Sequence, residues 1–188
     1  MNDMLKEFGD MGAQMAGGPT SYSHPQADII LEECESLLSR IPEGQRLLAL
    51  AKEKGFKTHV IAGKLPDFNV VGDDSLLLLC PLNTKAVDLD EMACNLGMGI
   101  RNLEQPYIGI PKPLMQNTPE QAHALRRHFL DITVEMCRIV SEIYDLNNKT
   151  KIVDLVEKLG HRELYEAYRS GKSDKEMADI YFKSVNAV

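Results

Sequence analysis

Between residues 29 and 41 the apolar positions Ile29, Ile30, Cys34, Leu37, Leu38 and Ile41 recur three and four apart, the spacing of a helix with one buried face. Ser23 with Gln26, around Pro25, has the form of a capping box at its start, and Pro42 marks its end. A second helix from Glu43 carries Leu47, Leu48, Leu50 and Ala51 and should stop at Gly55, placed to adopt the left-handed conformation after the last turn. The period then shortens. Residues 56–61 alternate as a strand does, with His59 on one strand face, and the turn residues Gly63 and Pro66 follow. Phe68–Val71 offers a second short strand, and Gly72-Asp73-Asp74 a turn. The unbroken apolar run Ser75–Cys80 suits a strand covered on both faces. Three strands make one small sheet.

Helical spacing returns with Leu89, Met92, Leu96, Ile100 and Leu103, on a helix that Asn83 or Thr84 would cap and that runs to Glu104. Gly97 and Gly99 lie inside it. Each weakens a helix by about 1 kcal/mol relative to Ala, so the pair predicts a close helix crossing or a local distortion. Gln105–Asn117, with Pro106, Pro111 and Pro113, reads as an irregular loop. Thr118-Pro119-Glu120-Gln121 then opens a long helix to Tyr144, striped by Leu125, Phe129, Ile132, Met136, Ile139, Val140 and Ile143. Three shorter helices follow: one capped by Thr150 and ending near Gly160, one from His161 to Tyr168, and one from Ser173 and Glu176 to Val185. The fold class is α+β, mainly helical, with a small three-stranded sheet between helices. Three regions are expected: a flexible arm over 1–22, an α+β domain over 23–146, and a helical extension over 147–188 packed on it.

Composition narrows the function. The 188 residues carry 44% hydrophobic and 26% charged side chains, an ordinary globular balance, and a formal charge of −7. That charge repels a phosphate backbone, and the densest basic spot, Arg126-Arg127-His128, reads as the solvated face of a helix, so nucleic acid is not an expected partner. No stretch is apolar for long enough to span a bilayer and no leader peptide is visible; the expected compartment is the cytoplasm. Cys34, Cys80, Cys94 and Cys137 are far apart in apolar surroundings and read as reduced core residues. There is no glycine-rich phosphate loop. His24, His59, His123, His128 and His161 show no metal-ligand spacing: His123 and His128, five apart, do not share a helix face.

The order of a Gly44-Gln45-Arg46-Leu47-Leu48 helix, short strands, an apolar strand ending Leu79-Cys80-Pro81 and a further helix resembles the small bacterial zincin-like metallopeptidase domains over Pro42–Tyr144. In those domains the helix after the last strand carries His-Glu-x-x-His, and a later helix supplies an acidic third ligand. Two imidazoles four residues apart share a helix face and converge on zinc, while the Glu between them activates the bound water. Here the corresponding stretch is Asp90-Glu91-Met92-Ala93-Cys94. The resemblance thus implies Asp90, Cys94 and Glu135 as the metal positions and Glu91 as the general base of any surviving activity. Three anionic ligands would more than cancel a divalent charge, leaving a poor Lewis acid and a bound water that is hard to deprotonate.

The same residues have simpler readings. Cys94 is a small apolar side chain beside the helix stripe. Asp88 and Glu91 form a capping box if the helix starts late, with Asp90 favouring its positive end. Glu135 reads as a surface residue that pairs with Arg138 one turn on. The leading expectation is therefore a catalytically inactive metallopeptidase-like domain acting as a scaffold or protein-binding module, without a cofactor. A metal-dependent peptidase or hydrolase using zinc at Asp90, Cys94 and Glu135 is the alternative. A further alternative is an unrelated helical interaction protein, in which the Asp90 and Glu135 helices would not face each other.

Overall fold

A computed structural model describes residues 24–61, 68–71, 76–80, 87–110, 118–148 and 151–185. The N-terminal arm, the Ser23 and Thr150 caps, the turns at 63–66 and 72–74, and the 111–117 part of the proline-rich loop lie outside them. The chain is mainly helical with a small sheet, an α+β arrangement.

Helix α1 (Ala27–Leu38) is followed by α2 (Pro42–Lys54), β1 (Lys57–Val60), β2 (Phe68–Val71) and β3 (Leu76–Leu79). Pro42 begins α2 at its first turn, where its missing N–H costs nothing. Gly55 closes α2 in the left-handed region, φ 69°. Ile41, the residue before α2, has no side chain able to cap it; instead the Glu142 carboxylate, 99 residues away, accepts the Glu43 N–H at 2.9 Å. Gln26 precedes α1 without any side-chain cap. The strand order is β1-β3-β2, with β3 parallel to β1 and antiparallel to β2. Leu77 and Leu79 join the main core while Leu76, Leu78 and Cys80 meet Ile61 on the other side, so β3 is covered on both faces as its apolar run requires.

Helix α3 spans Leu89–Glu104 and begins later than Asn83 or Thr84 would place it. Asp88, in extended conformation, is the cap: its side chain accepts the N–H groups of Asp90 and Glu91. Ten of the 16 residues of α3 are buried, which makes it the central element, packed on α1, α2, β2, β3 and most extensively on the long helix that follows. A side chain at Gly97 would collide with Ile139, and one at Gly99 with Leu77, so the two glycines admit a helix on one side and the sheet on another. A short 3-10 turn (Gln105–Ile108), ended by Gly109, opens what the sequence suggested was an irregular loop.

Helix α4 (Pro119–Asn147) starts with the expected capping box of Thr118 and Gln121, and ends three residues beyond Tyr144 on Asn148, φ 53°. Helices α5 (Lys151–Lys158), α6 (Arg162–Arg169) and α7 (Asp174–Val185) lie against it. Their Ile152, Val156, Leu164, Tyr165 and Tyr181 belong to the same core as α1–α4. No described helix is long and apolar enough to cross a membrane.

Candidate functional site

The positions suggested by the zincin resemblance fall in three different surroundings. Asp90 and Glu91, in the first turn of α3, line a groove of about 250 Å³ against α5 together with Asp88, Asp154, Lys151 and Lys158. Asp88 meets Lys151 at 2.5 Å, and Glu91 lies 3.9 Å from Lys158. Burial pushes the Asp88 carboxyl up, but Lys151 and the two capped N–H groups outweigh it and hold the carboxyl below its ordinary value. Cys94 sits beside the apolar stripe by sequence, yet it is 0% exposed in the main core, its Sγ 3.9 Å from Met98 Sδ. Glu135, readable from sequence as a surface residue, is 2% exposed.

The pairing of α3 with α4 explains the separation. The two helices face each other, with Gly97 against Ile139 and Arg101 against Asp131 and Glu135. They therefore run antiparallel, and the start of α3 lies toward α5, where Asp88 reaches Lys151. Glu135 is level with Arg101, seven residues past Cys94 and eleven past Asp90, or roughly 10 and 16 Å along the axis. Among the described residues no three His, Cys, Asp or Glu side chains are grouped so as to hold a metal ion.

What surrounds Glu135 is a part-buried charge network that the resemblance did not suggest. Arg46 of α2 grips Glu104 through both terminal nitrogens, at 2.5 and 2.9 Å, and Glu43 through Nε at 2.5 Å. Arg101 binds Glu104 at 2.6 Å and holds Asp131 with two parallel bonds of 2.8 and 2.7 Å. Gln105, fully buried, donates to Asp131 and to the His128 carbonyl. Arg138 completes the chain with 3.4 Å contacts to both Glu43 and Glu135. Two-pronged arginine–carboxylate bonds fix orientation as well as charge, so the network locks α2, α3 and α4 in register. His128, part of the basic triplet read as solvated, is buried here at 6% exposure.

Four carboxylates, Glu43, Glu104, Asp131 and Glu135, face three guanidinium groups, Arg46, Arg101 and Arg138, among the described residues. The imbalance falls on Glu135. Burial, and then the adjoining Glu43 carboxyl, push its pKa up to about 8, against the pull of Arg138 and Arg101. Glu104, although burial acts the other way, is held below its ordinary value by Arg46 and Arg101. Glu135 Oε1 has no hydrogen-bond partner among the described residues.

The raised Glu135 value sets a pH dependence. Native Glu135 keeps its proton up to about pH 8, whereas an unfolded Glu loses it near 4.5. The folded state therefore binds the extra proton between those values, and stability falls as pH rises through that window, by at most ~1.4 kcal/mol per unit. Glu135→Gln, an uncharged group of the same shape, is expected to flatten this slope in urea titrations and to raise stability at pH 9. An equal slope in wild type and variant would contradict the assignment.

Beside Glu135 opens a cavity of about 330 Å³ between α4, the end of α3 and the first turn of α7, bordered also by Arg127, Asp174 and a set of apolar side chains. Its charged wall was only partly visible beforehand: Asp131, Glu135 and Arg138 lie on one face of α4 at spacings of four and three, beside the apolar stripe. That spacing was a usable signal. The partners Arg46 and Glu43, from a helix about ninety residues earlier in the chain, had none.

The four cysteines are buried and take part in no disulfide, and burial pushes the Cys34 and Cys137 thiols up to about 12, far from a reactive thiolate. Compared with protein-family models, curated proteins and solved structures, the chain matches none.

Proposed function

We propose that this domain is a non-catalytic scaffold or protein-binding module, in which the positions that the metallopeptidase resemblance assigns to a metal have structural roles. The observation that carries the reading is the dispersal of Asp90, Cys94 and Glu135. One is in a helix-capping turn, one in the apolar core, and one in a part-buried ion network level with Arg101. A zinc site needs its ligands within about 2.0–2.3 Å of a single point. Bringing these three together would require sliding α4 past α3 by about two turns, against the Gly97–Ile139 packing and the Arg101–Asp131 pair.

Metal analysis tests this. Protein equilibrated with zinc and then desalted is expected to retain less than stoichiometric metal, and chelator is expected to leave its melting temperature unchanged. Stoichiometric zinc that disappears in both Asp90→Ala and Cys94→Ala, with peptide cleavage lost in Glu91→Gln, would establish the hydrolase instead.

A further inference from the structure

The cavity beside Glu135 has the features of a ligand site, and they hold whether or not the domain is a metallopeptidase-like scaffold. Its walls carry Arg101, Arg127 and Arg138 against Asp131, Asp174 and Glu135. These groups are not equally engaged. Arg101 and Asp131 hold each other through two short bonds. Arg138 is drawn back toward Glu43 and Glu135. Arg127 is exposed and lies eight residues from Glu135, roughly 12 Å along α4, so it does not neutralise that carboxylate.

Adding the carboxylates and guanidinium groups that underlie the wall, Glu43, Glu104 and Arg46, gives five acids and four bases among the described residues. With Glu135 ionised, the wall and the groups behind it carry more negative than positive charge; below about pH 8 a proton on Glu135 makes up the difference, and above it a bound cation would. Glu135 Oε1, on a side chain 2% exposed, accepts no hydrogen bond from a described N–H or O–H, so a cation that displaces the proton shared with Glu43 finds an acceptor there. Asp174 adds negative charge from the first turn of α7, which draws a cation toward the opening. Leu130, Val134 and Met177 supply the apolar part of the wall, suited to an unbranched aliphatic stem.

The geometry points to a binding site for a primary alkylammonium group, its stem lying along Leu130, Val134 and Met177 and its nitrogen donating to Glu135. A lysine side chain from a partner protein and a free aliphatic amine share this chemistry. A compact ammonium fits better than a guanidinium, because three planar guanidinium groups already line the wall and the space is at the small end for ligand cavities.

The test is a titration followed through the methyl signals of Leu130, Val134 and Met177 by NMR, at a pH of about 8.5, where primary amines remain protonated. Pentylamine is expected to shift these signals saturably in the millimolar range, and 1-pentanol, equal in stem but uncharged, is expected not to. Glu135→Gln should weaken binding at least tenfold. Val134→Trp, which fills the cavity while leaving every charged side chain of the network in place, should abolish it, and its unchanged remaining spectrum serves as the folding control. Comparison with a blocked lysine, N-acetyl-lysine methylamide, separates the sources: binding equal to or tighter than pentylamine assigns a partner's lysine, and tenfold weaker binding assigns a free amine. No saturable shift with either amine up to tens of millimolar, or equal binding of pentylamine and pentanol, or binding undiminished by Glu135→Gln, would overturn the proposal.

Discussion

Arg101→Ala is expected to destabilise the fold by about 3 kcal/mol, because it removes the most buried cation of a part-buried ionic cluster and leaves the carboxylates around it uncompensated. The Arg101 side chain is 17% exposed and connects Glu104 of its own helix with Asp131 and Glu135 of α4. Without it Asp131 keeps Gln105 as a donor, while the negative charges on α3 and α4 lose the cation between them. Arg46→Ala should cost less, since that side chain is 39% exposed and water can replace part of what it provides. Urea denaturation measures both. The expected signature is a lower midpoint for Arg101→Ala with an unchanged dependence on denaturant, and a smaller drop for Arg46→Ala. Reversal of that order would show that the cluster is not centred on Arg101.

The second large effect concerns the contact between sheet and central helix. Leu77, fully buried on β3, lies over Gly99 of α3, where an added methyl would collide with its side chain. Leu77→Ala is expected to cost about 2–5 kcal/mol through lost burial and the cavity left behind. Gly99→Ala alone should cost about 1–3 kcal/mol from overpacking. Made together, the alanine methyl at 99 enters space vacated at 77, so the double variant should be more stable than the sum of the two losses by at least ~0.5 kcal/mol. Strict additivity would mean that the two residues do not meet.

These two contacts also mark what was readable beforehand. The helix stripes, the Thr118 capping box, the Gly55 stop and the double-sided burial of β3 follow from local periodicity and turn chemistry, which act over a few residues. The glycines at 97 and 99 foretold a helix crossing, which Ile139 makes at Gly97, but not the strand residue Leu77 at Gly99, because local spacing is silent about which distant element arrives. For the start of α3 the sequence offered Asn83 or Thr84 and, for a late start, Asp88; the late start is the one found, with Asp88 also reaching Lys151, 63 residues on, a contact that local spacing could not supply to choose between them. At the candidate site, the pairing of Glu135 with Arg138 was visible as a one-turn spacing. Its burial was not, because a charged side chain enters a core only with partners, and Glu43, Arg46 and Arg101 come from two other helices. Asp90 and Cys94 illustrate the converse: positions aligned with a motif need not share its geometry. Four residues apart, they end in a capping turn and in the apolar core.

The most direct test of where Glu135 belongs is its own titration, followed through the side-chain carboxyl carbon by NMR with and without zinc. A midpoint near about 8, unmoved by zinc, is expected for a carboxyl buried against Glu43 and Arg138. A midpoint in the ordinary carboxylate range that shifts on adding zinc, together with the signals of Asp90 and Cys94, would contradict it.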